Sequence, residues 1–198
     1  SYYKMLNILL IFSILSLSLS QDSITTIYLC GDSTVTIYGD DVFLGSWGQY
    51  LDLFLDSKKI KVINYAEGGR SARSFINEGR LYPMEGSTYK FKPNNGKPIS
   101  ESIKPGDYLF IQFGHNDDEA KGYALYPDRI SVLGKPDENG IYPTIPGYKV
   151  KTTELPKEYL EKATQEEINN MLNTIKQYGN EYYTFAGTYK WFLKQYID

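Results

Sequence analysis

Three short apolar runs, each breaking off into a polar, turn-forming stretch, constrain this 198-residue chain more than any other feature. Ile24–Cys30 is apolar and β-branched and stops at Gly31-Asp32-Ser33. Ile60–Asn64 leads into Tyr65-Ala66-Glu67-Gly68-Gly69, and Asp107–Phe113 stops at Gly114. Runs of this length, rich in β-branched and aromatic residues and followed by turn residues, read as strands buried in a sheet. Segments with helical spacing lie between them. Trp47–Leu55 puts its apolar residues on one helical face, Ser71–Glu78 opens on a residue that caps helices, and Ser100–Lys104 makes a short turn before Pro105-Gly106. Strand–helix alternation predicts βαβ units, a mostly parallel sheet and therefore an α/β fold.

The pattern loosens downstream. Asp118–Pro156 holds five of the nine prolines together with several tyrosines and glycines, so it reads as a long surface insertion, a candidate binding loop. Gln165–Gln177 and Phe185–Ile197 then return to helical spacing. In the second, Tyr189, Phe192, Leu193 and Tyr196 fall at i, i+3, i+4 and i+7. At the other end, Lys4 precedes an apolar run, Leu6–Leu19, that closes on Ser18-Leu19-Ser20. A charged start, a short apolar centre and small residues before the break predict a secretory signal peptide over residues 1–20, with Met5 a candidate start. The run is short for a membrane span, so a secreted chain without stable membrane association is expected after cleavage.

Composition removes several classes. The formal charge is −3 with a pI near 5.3, and no Lys/Arg cluster appears, which argues against a nucleic-acid partner. A single cysteine excludes a disulfide framework and a Cys-rich zinc site. Cys30, at the end of a strand pattern, reads as a buried, inert thiol. Asp40-Asp41 and Asp117-Asp118-Glu119 read as solvated loop carboxylates, since no ligand spacing accompanies them. No metal and no cofactor is expected.

The polar stretches behind the three strands fall at the edge of the sheet where open parallel sheets collect their active sites. Acyl transfer needs a nucleophile on a tight turn and donors aimed at the developing oxyanion. Ser33 meets the first need, because Gly31 lets the chain turn sharply after the strand. Gly69, whose backbone N–H can be approached closely, and Asn116, whose side-chain amide is a donor, meet the second. Each stretch alone is a common turn, but together and in this order they form a constellation.

The residues Gly31-Asp32-Ser33-Thr34, Asn64–Ser74 and Gly114-His115-Asn116-Asp117 resemble the first three blocks of the SGNH hydrolases, also called GDSL esterases. Gly69-Arg70-Ser71-Ala72-Arg73-Ser74 and Gln112-Phe113-Gly114-His115-Asn116-Asp117 are similar to the rhamnogalacturonan acetylesterases, family twelve of the carbohydrate esterases. Trp47-Gly48-Gln49 and Gly187-Thr188-Tyr189-Lys190-Trp191 have the same flavour. The resemblance implies a flavodoxin-like, three-layer α/β/α sandwich around a five-stranded parallel sheet, of which three strands are visible here. It also implies a Ser33 nucleophile, with Gly69 and Asn116 in the oxyanion hole. Its substrate would be acetylated pectin, a plant cell-wall polysaccharide, attacked by a monomer without cofactor.

One block departs from the pattern. The fourth, Asp-x-x-His, supplies the base and its orienting acid, and no histidine follows His115, the only one in the chain. Adjacent side chains diverge, so if Asn116 points at the oxyanion, His115 bonds within its loop or lines the site rather than serving as base. Three expectations follow: a domain incomplete at the C-terminus, a third strand with an exposed apolar edge, and little turnover by these 198 residues alone. Arg70 and Arg73, beside the site, favour an acidic polymer, and Arg70 and His115 are candidate substrate contacts. Two other readings stay open. One is a different esterase of the superfamily, acting on xylan acetyls or on lipids. The other is a carbohydrate-binding remnant without catalysis.

Overall fold

A computed structural model describes residues 24–85, 87, 89–117, 127–178 and 181–198. The signal peptide expected over residues 1–20 and the first part of the expected insertion lie outside the described residues. Strand β1, Thr25–Gly31, sits at the centre of a parallel sheet between β2, Ile60–Asn64, and β3, Tyr108–Gln112, in the order β2-β1-β3. Leu29 stands opposite Asn64 and Gly31 opposite Gln112, so all three strands run out at one edge.

Alternation along β1 divides the core between the two faces of the sheet. Tyr28 and Cys30 face helix α2, Ala72–Asn77, and helix α5, Tyr189–Gln195, through Ala72, Phe75, Ile76, Phe192 and Tyr196. Ile27 and Leu29 face the other way, onto Val35, Ala66, Leu51 and Leu55. The second layer is therefore made by helix α1, Trp47–Tyr50, and the 3₁₀ turn Leu51–Phe54 that continues it. Helix, sheet, helix is the α/β sandwich expected from the alternation. Cys30 is buried, and burial raises its thiol pKa well above the ordinary value.

The amphipathic helix expected over Trp47–Leu55 is shorter than its spacing suggests. Ser46 caps it, its Oγ accepting from Gln49 N at 3.1 Å and donating to Thr36 O at 2.5 Å. Gly48 then lies directly on Val35, where a Cβ would collide with the Val35 carbonyl and approach Asn64 Nδ2 to 3.0 Å. That contact holds the first turn against the sheet, while Leu53 and Phe54 stand in solvent.

The region from Asp118 to Pro156 is more than a surface insertion. Its described part buries Ile130, Val132 and Leu155, which join Tyr159, Met171 and Ile175 in a separate apolar cluster. It also contains strand β4, Tyr148–Lys151, which pairs antiparallel with β5, Tyr183–Ala186. Helices α3, Lys157–Leu160, and α4, Gln165–Tyr178, lie between these strands in the chain. The helix expected over Phe185–Ile197 is split accordingly, its first residues belonging to β5. Tertiary bonds decide this: Asn77 Oδ1 accepts from Phe185 N at 3.0 Å, and Asn77 Nδ2 donates to Phe185 O at 3.0 Å. Among the described residues, no helix is long and apolar enough to cross a membrane.

Candidate active site

The first loop turns on Asp32, which is 2% exposed. Its carboxylate accepts from Thr34 N and Thr34 Oγ1, both at 2.9 Å, and its carbonyl accepts from Val35 N and Thr36 N. Strand β1 thus passes into a closed turn with Ser33 at its crest, partly exposed. Tyr38 pins the crest from behind, its hydroxyl donating to Ser33 O at 2.7 Å.

The second loop follows β2. Arg70 N donates to Glu67 O at 3.3 Å, closing a turn with Gly68 and Gly69 at its middle. Gly69 has φ +76°, which a two-residue turn of this kind requires at its second central position and which glycine adopts without strain. Space makes the same demand, since a Cβ on Gly69 would come within 2.7 Å of the Arg129 guanidinium. A Cβ on Gly68 would lie 4.0 Å from Ser33 Cβ, so the turn and the serine are neighbours.

Two arginines brace this turn from inside. Arg70 donates through Nη1 to Gly68 O at 2.8 Å, through Nε to Glu78 at 2.9 Å and through Nη2 to the Tyr89 hydroxyl at 2.6 Å. Arg80, 1% exposed, donates to Tyr65 O at 2.9 Å and bonds Glu78 at 2.6 Å and Glu67 at 3.4 Å. Glu78 therefore joins both guanidiniums. The Arg70 donors shape the loop that surrounds Ser33.

The third loop, after β3, buries two neighbouring polar side chains while His115 beside them is exposed. Asn116, 2% exposed, donates from Nδ2 to Arg70 O at 3.0 Å. Asp117 accepts from Ala72 N, at the start of α2, at 3.0 and 3.3 Å, and from the Ser131 hydroxyl. Burial is the main cause that pushes the Asp117 carboxyl up to about 7, and the charge of Asp32 adds to it. Asp117 is thus no solvated loop carboxylate, as its sequence run suggested; it ties the third loop to the second and to the segment after Arg129. Gln112 completes the closure, Nε2 donating to Thr34 Oγ1 at 2.9 Å and Oε1 accepting from Trp47 Nε1 at 2.6 Å. Tyr189 donates its hydroxyl to Phe113 O at 3.0 Å, and burial pushes that phenol to about 12, which keeps it a donor at neutral pH.

Ser33, Gly69 and Asn116 are therefore carried by three loops that bond to one another at one edge of the sheet. Arg73 departs from its expected place beside a substrate. It is 1% exposed and donates to Phe185 O at 2.8 Å, Ile130 O at 2.9 Å and Thr184 Oγ1 at 2.9 Å. Burial lowers its pKa, and its work is to hold β5 and the Ile130 segment on α2. The structuring roles of Asp32 and Glu78, and the placement of Arg129 on Gly69, were not visible in the sequence. Asp32 stood in a recognisable turn, whereas Arg129 came from a stretch without periodicity.

Residues 27–190 match the model of a family described as GDSL-like lipase/acylhydrolase. A probable rhamnogalacturonan acetylesterase of Bacillus subtilis, YesY, is 46% identical over 91 residues, which are 46% of this chain and 35% of that protein. The rhamnogalacturonan acetylesterase RhgT of the same organism is 39% identical over 101 residues, 50% of this chain and 37% of its own length. A rhamnogalacturonan acetylesterase of Emericella nidulans is 35% identical over 139 residues, 66% of this chain and 46% of its own. The chain thus spans between 35% and 46% of the length of these relatives. A crystal structure of the Bacillus subtilis protein YxiM aligns at 25% identity over 79% of this chain and 31% of that one, with a TM-score of 0.40.

Proposed function

Because the chain belongs to the GDSL-like lipase/acylhydrolase family, we propose that it carries the nucleophile and oxyanion half of a secreted serine esterase that removes acetyl groups from pectin, on rhamnogalacturonan. The observation that carries this proposal is the meeting of three strand-end loops around Ser33, with Gly68–Gly69 beside it and Asn116 bonded into the same turn. Ser33 Oγ attacks the acetyl carbonyl, its proton passes to the sugar oxygen as the ester C–O bond breaks, and water then hydrolyses the acyl-serine to release acetate. The N–H groups of Ser33 and Gly69 and the Asn116 amide receive the oxyanion. Asn116 Nδ2 carries two N–H groups. The one given to Arg70 O fixes the side chain, and the other is the donor assigned to the substrate oxygen.

Several residues support that geometry without touching the ester. Arg70, Arg80 and Glu78 hold the Gly68–Gly69 turn, and Asp117 holds the third loop against α2. Preorganised donors of this kind need no rearrangement as charge develops. His115, exposed on the rim, and the partly exposed Arg70 are the proposed contacts to the polysaccharide. Residues 1–20 serve as the export signal. The relatives named rhamnogalacturonan acetylesterase support the choice of substrate.

The test is acetate release from acetylated rhamnogalacturonan by the full-length gene product recovered from culture medium, with acetylated xylan as comparison. Ser33→Ala should lower kcat by about a thousandfold or more while the fold is kept. Undiminished acetate release by that variant would remove Ser33 from the mechanism. Preference for xylan would redirect the substrate assignment. Polysaccharide binding with no acetate release would favour a binding protein.

A further inference from the structure

A groove of about 940 Å³ opens between the end of α2 and strand β5. That volume lies in the range of roughly 300–1,000 Å³ common for ligand sites. Its walls are the end of α2 at Asn77 and Glu78, the loop through Tyr89, and strand β5 with Tyr182 before it. One side chain links its wall to the strand-end loops. Arg70 bonds Gly68 O, next to Ser33, and on its other side Glu78 and the Tyr89 hydroxyl, which line the groove.

The lining alternates aromatic faces with hydrogen-bonding groups. Tyr182 and Tyr183 are 49% and 58% exposed, and Tyr89 and Phe185 are also open to solvent. Asp128 accepts from the Tyr182 hydroxyl at 2.8 Å and so fixes that ring. Phe185 is held through its backbone by Asn77 and Arg73, which makes β5 a rigid wall. Lys149 and Lys151 place their ammonium groups 5.2 and 6.0 Å from the centre of the Tyr183 ring. Of the carboxylates lining the groove, Glu78 pairs with Arg70 and Arg80, Asp128 accepts from Tyr182, and Glu85 stands in a lining that also holds Lys90 and Lys149; at its border Lys151 pairs with Glu181 at 3.1 Å. Exposed rings on a rigid wall suit the apolar faces of sugars, and ammonium groups at the rim suit a carboxylate.

We infer that this groove binds the sugar residues flanking the ester, as subsites for a uronate-containing oligosaccharide, with Tyr183 as the stacking platform and Lys149 as the contact to a uronate carboxylate. The inference rests on the esterase proposal for the identity of the chain it serves, but not for its measurement. A de-esterified rhamnogalacturonan oligosaccharide carries no acetyl group, so its binding is read independently of hydrolysis.

The experiment is titration of the protein with that oligosaccharide and with a neutral xylo-oligosaccharide, by calorimetry and by chemical-shift perturbation. The acidic oligosaccharide should bind, and Tyr183→Ala should weaken it about tenfold. Lys149→Ala should weaken it and flatten its salt dependence. Both side chains lie at the surface, so circular dichroism should show each variant folded. Absence of binding to the unmodified protein, equal binding of the neutral oligosaccharide, or unaltered binding by folded Tyr183→Ala would each overturn the inference. Failure of the esterase proposal would appear elsewhere, as acetate release that survives the loss of Ser33.

Discussion

Asp117 shows how much one carboxyl can tie together and at what cost. Its oxygens receive Ala72 N–H and the Ser131 hydroxyl, joining the third loop, the start of α2 and the segment after Arg129. Burial nevertheless dominates and pushes the carboxyl from its ordinary value up to about 7. The folded protein therefore holds a proton that the unfolded chain has already lost between about pH 4 and pH 7. Stability from this group is fully present below pH 4, falls as pH rises through that window and levels off above it. Asp117→Asn should flatten this part of the curve, measured as urea midpoints from pH 4.5 to 8. An unchanged slope in the variant would assign the pH dependence to another group. The sequence placed this residue in an acidic run and suggested a hydrated loop. Only the packing of α2 and Ser131 around it, contacts 45 and 14 residues distant, makes it buried.

At the level of elements, the arginine on α2 is the principal fastener. Arg73 reaches Ile130 O, Phe185 O and Thr184 Oγ1 with one planar group, and each bond spans more than fifty residues. Lysine keeps the charge but cannot present three donors in that fork. Arg73→Lys should cost about 2–4 kcal/mol by leaving buried acceptors unmet, lowering Tm by roughly 5–15 °C. A melting temperature within a degree of the unmodified protein would show that the fastener is dispensable. The same contacts explain what the sequence concealed. Strands β1, β2 and β3 were legible because apolar β-branched runs bury themselves in any parallel sheet. Strands β4 and β5, four residues each, are too short to carry such a signature. Phe185 fits the spacing of the helix that follows, and its strand conformation is imposed by Asn77 and Arg73. The three strand-end loops were legible for a different reason: strand ends in a parallel sheet converge, so their turn residues are neighbours whatever the details between them.

For the molecule as a whole, the three-stranded sheet has two edges among the described residues, β2 and β3. β3 pairs with β1, and among the described residues it has no second strand neighbour. Tyr108, Phe110 and Ile111 are 58%, 39% and 37% exposed along it, the apolar edge anticipated from the strand order. An edge of this kind is a template for further pairing. Sedimentation of the 198-residue chain should show association that grows with concentration, and Phe110→Lys should suppress it. Monomeric sedimentation of both over the same range would mean that the edge is protected.

The distance along the chain between Arg73 and its acceptors has a consequence for biosynthesis. Phe185 is added to the nascent chain 112 residues after Arg73, on the order of 5–20 s later at ordinary rates of translation. Through that interval the acceptors Phe185 O and Thr184 Oγ1 do not yet exist, so the bonds between α2 and β5 cannot form. Arrival of Thr184 and Phe185 fastens β5 to α2 in the same event that completes the wall of the groove.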